Sequence, residues 1–99
     1  MLGRRRRRGQ KGRMPKPIRL SAHPTINSFI PHPQANPMPI FLEHAELEAL
    51  KLVDMEGLSQ EEAGARMGVS RGTVWRLLQS ARKKVAQALT EGRSLLIKP

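Results

Sequence analysis

From Glu43 to Glu91 the apolar residues recur at intervals of three and four, the spacing that lines one side of a helix. Three such stretches follow one another. In the first, running roughly from Glu43 to Glu56 and stopped by Gly57, Ala45, Ala49, Leu50, Leu52 and Val53 share one broad side, with Glu48, Lys51 and Asp54 opposite. Leu47 falls off that stripe, which makes it either exposed or part of a subunit contact. In the second, Ala63 and Met67 face inward, one turn apart, while Gln60, Glu61 and Arg66 stay in solvent. The third carries Val74, Leu77, Leu78, Ala81, Val85, Ala88 and Leu89 on one stripe, with no glycine or proline from Thr73 until Gly92.

The boundaries of the second and third stretches are punctuated by residues with defined physical jobs. Ser59 precedes the second helix, where its hydroxyl can accept an orphan amide, and Glu62 three residues later completes a capping box. Gly68 supplies the left-handed conformation that a tight turn needs, Val69 plugs the turn from beneath, and Ser70 is a second N-cap. Two capped helices three residues apart form a helix-turn-helix, in which the second helix is the one that enters a DNA groove. An ordinary helical hairpin would share the glycine turn. What argues against it is the outward side of the last helix: Arg71, Gly72, Trp75, Arg76 and Gln79 offer guanidinium forks, an amide and a site of close approach, the groups that read base edges. Trp75 there either wedges against thymine methyls or sugar edges, or covers the rim of the domain. Ser59, Gln60, Ser70 and Thr73 at the helix starts, and Arg82, Lys83 and Lys84 further along, are candidates for phosphate contact.

The flanks have a different character. From Pro15 to Pro39 seven prolines exclude a helix, so that segment is expected to be extended, although Ile18, Leu20, Ile26, Phe29 and Ile30 give it the means to pack on the helices or on a partner. After Gly92, Ser94-Leu95-Leu96-Ile97 has β character and either closes over the core or pairs with another chain. The expected organisation is therefore a disordered basic tail over residues 1–14, an extended proline-rich segment over 15–42, a helix-turn-helix domain over 43–92 and an apolar tail over 93–99. The expected fold class is all-α, a three-helix helix-turn-helix domain with a disordered or extended N-terminal segment.

Charge sharpens this picture. The total is +10, but it is segregated. Residues 1–40 carry nine basic and no acidic side chains, residues 41–69 two basic and seven acidic, and residues 70–99 seven basic and one acidic. Such polarity would orient the last helix toward a polyanion before any base is touched. Met14-Pro15-Lys16-Pro17 reads as a second plausible start of translation, without which seven basic residues belong to the chain and with which the charge is +3. No apolar run approaches the roughly 20 residues of a membrane span, no signal peptide is recognisable, and cysteine is absent. These features point to a cytoplasmic, chromosome-associated protein with no membrane partner. Catalytic chemistry finds no candidates: His23, His32 and His44 lack metal-ligand spacing, and Gly64, Gly68 and Gly72 lack the strand and Lys-Ser/Thr of a phosphate loop. A non-enzyme without metal or cofactor is the expectation.

The block from Leu47 to Leu89 resembles the helix-turn-helix of sigma factor region four, above all in Glu56-Gly57-Leu58-Ser59-Gln60-Glu61-Glu62-Ala63, Gly68-Val69-Ser70-Arg71-Gly72-Thr73-Val74 and Ala81-Arg82-Lys83-Lys84. Over most of residues 14–97 the chain also resembles the prokaryotic family called domain of unknown function one-three-four, small predicted DNA-binding proteins with a proline- and basic-rich start. Pro15-Lys16-Pro17-Ile18-Arg19, Leu47-Glu48-Ala49-Leu50-Lys51-Leu52-Val53-Asp54 and Gly92-Arg93-Ser94-Leu95 carry that likeness. One departure is Gly64, where these families usually place alanine. Both resemblances imply double-stranded DNA as partner and a role in transcription regulation. A homodimer is expected as well, because one small motif reads few base pairs. The rival reading keeps the sigma-like shape but docks on RNA polymerase or another protein through the acidic first helix and the apolar tail; a third is sequence-tolerant RNA binding through the arginine-rich start. Target sequence, sign of regulation, effector and oligomeric state are not encoded in any residue cluster.

Overall fold

The computed structural model describes residues 17–21 and 27–98. The expected tail over residues 1–14, like His23 and Ile26, lies outside them. The described chain folds as β1 (Ser28–Phe29), β2 (Ile40–Glu43), α1 (His44–Leu50), a π-helical turn over Lys51–Met55, α2 (Gln60–Met67), α3 (Arg71–Glu91) and β3 (Leu95–Lys98). The three helices fall where the periodicity places them. The first is helical across the expected span, but its last turn widens: the Glu56 amide reaches back to the Lys51 carbonyl at 2.9 Å, the five-residue step of a π-turn. That turn keeps Leu52 fully buried, and Gly57 ends it at a φ of 77°.

The expectation of an all-α fold is corrected: the fold is α/β. A three-stranded mixed sheet, in the order β1-β3-β2, covers one end of the helices. β3 is the central strand, antiparallel to β1 with Ser28 opposite Leu96, and parallel to β2 with Ile40 opposite Leu95 and Leu42 opposite Ile97. The sequence signals were present but dispersed. Ile40-Phe41-Leu42-Glu43 alternates buried and exposed, the period of a half-buried strand, yet it abuts the proline-rich segment and runs without a loop into α1. Its partner lies after the entire helical unit, and such a parallel pair needs a long crossover that no local pattern announces. The apolar C-terminal stretch thus pairs within its own chain. Arg93 secures the approach to β2, donating from Nε to the Met38 carbonyl at 2.7 Å, while the amides of Ala35 and Asn36 donate to the Gly92 carbonyl.

The core joins Ala49 and Leu52 with Ala63 and Met67 of α2 and Val74 of α3, with Ile18, Val53, Leu58, Val69 and Leu77 packed against it. Leu78, Ala81 and Ala88 continue it along α3, and Ile40 and Leu42 close it from the sheet. Two positions differ from expectation. Leu89 is 80% exposed, at the edge of an open apolar groove that it lines together with Leu42, Leu47 and Leu50. Glu48, expected in solvent, is buried: Ser21 covers it and donates to its carboxylate from both amide, at 3.1 Å, and hydroxyl. Leu47 is half-buried and lines an apolar groove with Leu50, Met55, Val85 and Leu95.

One polar contact ties α1 to α3. The buried Glu46 carboxylate accepts from Lys84 Nζ at 2.8 Å, from the Glu43 amide at 2.9 Å and from the Ser80 hydroxyl. Burial alone would raise its pKa, but Lys84, Ser80 and the amide together outweigh that and hold it below the ordinary value. Asp54 is lowered chiefly by its two-pronged bond from Arg82, at 3.0 and 2.7 Å.

Two outcomes are expected in urea denaturation. Leu78→Ala should lose roughly 2–5 kcal/mol of stability, whereas Leu89→Ala should change it by no more than about 0.5 kcal/mol; a large loss in the second would overturn this placement of α3. Folding lowers the Glu46 pKa, so its contribution is present above the unfolded value of about 4.3 and is lost as pH falls through the folded one. Glu46→Gln should therefore cost about 1–3 kcal/mol at pH 7 and make stability fall less steeply on acidification below roughly pH 5, with the residual slope carried by groups such as Asp54. An unchanged slope would show that Glu46 is not the strut described.

Candidate nucleic-acid interface

The two helix starts form as their residues dictate. The Glu62 amide donates to Ser59 Oγ at 3.0 Å and the Ser59 amide donates to a Glu62 carboxylate oxygen at 2.8 Å. The backbone and side chain of Ser59 hold the Glu62 carboxyl below its ordinary pKa. Gly68 ends α2 with a φ of 72°. Ser70 Oγ then accepts the Thr73 amide at 3.1 Å and lies 3.0 Å from the Thr73 hydroxyl. The turn between the helices is unusually close-packed at Gly64. A Cβ there would lie 2.7 Å from the Val69 carbonyl oxygen, whose own amide donates to the Gly64 carbonyl at 2.9 Å. Glycine at this position thus lets the turn fold directly onto α2, and this offsets its lower helix propensity, about 1 kcal/mol below alanine.

These caps fix α3 so that Val74 and Leu78 face the core and the other side stays open. Arg71, Gly72, Trp75, Arg76 and Gln79 are all exposed, Trp75 by 52%. At 100° per residue they occupy one contiguous sector of the first two and a half turns. Arg76 leans back toward Thr73, with Nη2 3.4 Å from its hydroxyl. At the neighbouring start of α2, Ser59, Gln60 and Glu61 border a shallow depression together with Arg71. The structure thus brings two of the helix-start candidates, Ser59 and Gln60, beside one of the base-reading candidates.

The basic cluster further along α3 is arranged differently. Arg82 grips Asp54 and Lys84 is drawn inward onto Glu46, leaving Lys83 as the member of the trio with no ion pair among the described residues. Part of the segregated charge is therefore neutralised where acidic α1 and its π-turn face basic α3. Sequence reasoning also passed over Arg19. Its amide donates to the Met67 carbonyl at 2.9 Å and its Nη2 to the Ala65 carbonyl at 2.7 Å, so it satisfies the last carbonyls of α2 and complements that helix's negative end. Ile18 beside it packs against the core. The only local signal was an apolar residue next to an arginine between prolines, too brief to foretell a docking site 46 residues away.

Among the described residues no group of histidine, cysteine or acidic side chains could hold a metal ion, and no helix is long and apolar enough to cross a membrane.

With this geometry in view, comparison with known proteins identifies kin rather than chemistry. A UPF0251 protein of Thermococcus kodakarensis is 63% identical over 77% of this chain and 70% of its own length. One from Archaeoglobus fulgidus is 47% identical over 88% of the chain and 83% of its own length. A bacterial one from Syntrophobacter fumaroxidans is 43% identical over 85% of the chain, which spans 57% of that relative. No solved structure matches. The family model described as "Protein of unknown function DUF134" matches residues 4–99, and the chain belongs to that family.

Proposed function

We propose that the protein binds double-stranded DNA sequence-specifically and regulates transcription, with the first turns of α3 in the major groove. The observation that carries this reading is the exposed sector Arg71, Gly72, Trp75, Arg76 and Gln79 on a helix whose start is capped by Ser70 and whose other side buries Val74, Leu78 and Ala81. Arginine forks and the glutamine amide match the donors and acceptors of guanine and adenine edges, and Gly72 admits the close approach of a sugar-phosphate backbone. Support also comes from the α2 start, where Ser59, Gln60 and Arg71 border one depression at the positive end of a helix, a favourable setting for a phosphate, though the Glu61 carboxylate shares that border and opposes an anion. Ser70, Thr73 and Lys83 are the further phosphate candidates, and Arg82 and Lys84 can join them only by leaving Asp54 and Glu46. DNA-bound action places the protein in the cytoplasm on the chromosome, and as a homodimer it would read two half-sites.

The rival reading, an adaptor docked on RNA polymerase, loses one of its two surfaces, because the apolar tail is the middle strand of the sheet.

Selection of genomic duplex fragments by the purified chain, with excess non-specific competitor, should enrich fragments sharing a common sequence. Arg76→Ala and Gln79→Ala should each cost about 1–3 kcal/mol against the preferred site and relax the choice of one base pair. An unchanged preference in both variants would mean that this sector does not read bases; capture of polymerase without DNA, undiminished when Arg71 and Arg76 are replaced, would establish the adaptor instead.

A further inference from the structure

The described residues expose seven large apolar side chains, and four of them, Phe29, Ile30, Met55 and Leu89, border two adjoining hollows. Phe29 and Leu89 line both hollows and so form a ridge between them. The larger hollow is the apolar groove, about 800 Å³, walled by Leu47 and Leu50 of α1, Val85 of α3 and the sheet. Exposed apolar residues scattered singly are ordinary, whereas a contiguous set of them marks a surface that something covers. A small molecule suits this groove poorly, because Leu89 and Met55 at its edge are 80% and 72% exposed and would leave much of a bound ligand in water.

A second copy of this chain fits the groove in shape, charge and orientation. Ridge and groove adjoin on one face, so two copies related by a two-fold axis can each seat Leu89 in the other's groove, as a contact between identical faces requires. Among the described residues that line the groove, Lys51 alone is charged. Its ammonium already donates to the Ser21 hydroxyl at 3.1 Å and lies 3.8 Å from the Glu56 carboxylate, so an identical face brings no unpaired like charge against it.

Orientation favours the same occupant. At 100° per residue, Val85 and Leu89 lie roughly 90° around α3 from the centre of the sector formed by Arg71, Gly72, Trp75, Arg76 and Gln79. Two copies joined through the groove can therefore share a two-fold axis parallel to the outward direction of that sector, which turns both sectors to the same side. Along the helix, Arg76 and Leu89 are separated by roughly 20 Å at 1.5 Å per residue. Two antiparallel α3 helices meeting at Leu89 then hold their sectors up to about 40 Å apart, a span that admits the roughly 34–36 Å between half-sites one turn apart on duplex DNA.

We propose that the groove and the Leu89 ridge form a two-fold contact between two copies of this chain, which sets two α3 helices on half-sites one DNA turn apart. The half-site geometry rests on the DNA-binding reading above; the association of the two copies does not.

Sedimentation equilibrium of the full chain over a concentration series, without DNA, should show reversible association to twice the 11.1 kDa of one chain. Leu89→Glu and, separately, Met55→Glu place a carboxylate in the contact and should each weaken association by roughly tenfold or more. At dilutions where the unaltered chain is monomeric, both variants should keep its helical circular dichroism and melting temperature, since the core forms within one chain. A duplex with two half-sites one turn apart should bind the unaltered chain about 10²-fold or more tighter than a duplex with one, and Leu89→Glu should remove that gain while keeping the single-site affinity. A chain that stays monomeric at every concentration, free and on DNA, would overturn the contact, and association weakened by neither variant would place it on another face. Monomers that take up an apolar dye, and lose it in Leu89→Glu, would make the groove a small-ligand site instead. If the copies associate through this face but select no duplex, the contact stands and the DNA-binding reading falls.

Discussion

The architecture depends on the burial of one face of α3. Val74, Leu78 and Ala81 are wholly withdrawn from water, and the small partners Ala49 and Ala63 let the helices lie close enough for close packing to contribute along with desolvation. Once that face is committed, the other placements follow. α2 must cross where Met67 can meet Val74, the turn must press against Gly64, and the opposite sector of α3 stays exposed among the described residues. The exposed arginines, tryptophan and glutamine are thus a geometric complement of the core rather than an independent feature of the surface.

Polar contacts select among the ways in which such a core could be assembled. Glu46 with Lys84, and Asp54 with Arg82, each join the first helical segment to α3. The first is sheltered and so costs desolvation as well as gaining attraction; its value lies in the register it imposes between two helices whose apolar faces would tolerate some sliding. The second is half-exposed and contributes little energy. Together they show that the charge opposition between segments 41–69 and 70–99 acts within the fold.

Helix positions, caps and the open sector of α3 were legible in the sequence because their determinants are local. Ser59, Glu62, Gly68 and Ser70 act over three or four residues, and the spacing of Ala63, Met67, Val74 and Leu78 states their common face directly. The sheet was not legible, since Leu42 and Ile97 are paired by a connection that contains every helix. Arg19 and Glu48 were missed for a related reason. Each is defined by a partner far along the chain, Ala65 for one and Ser21 for the other, and nothing in a window around either residue marks the meeting. Leu89 shows the reverse error: helical spacing continued, but its side chain borders an open groove instead of the closed core.

α3 runs unbroken for 21 residues from Arg71 to Glu91, roughly 31 Å at 1.5 Å per residue. Its first turns carry the open sector and its last turns are clasped by the loop before β2. The open sector and the seat at Gly92 therefore belong to one stiff element, held by the core at Val74 and by the Ala35 and Asn36 amides at Gly92. A change in how that loop grips Gly92 is transmitted along the helix, because no joint lies between to absorb it.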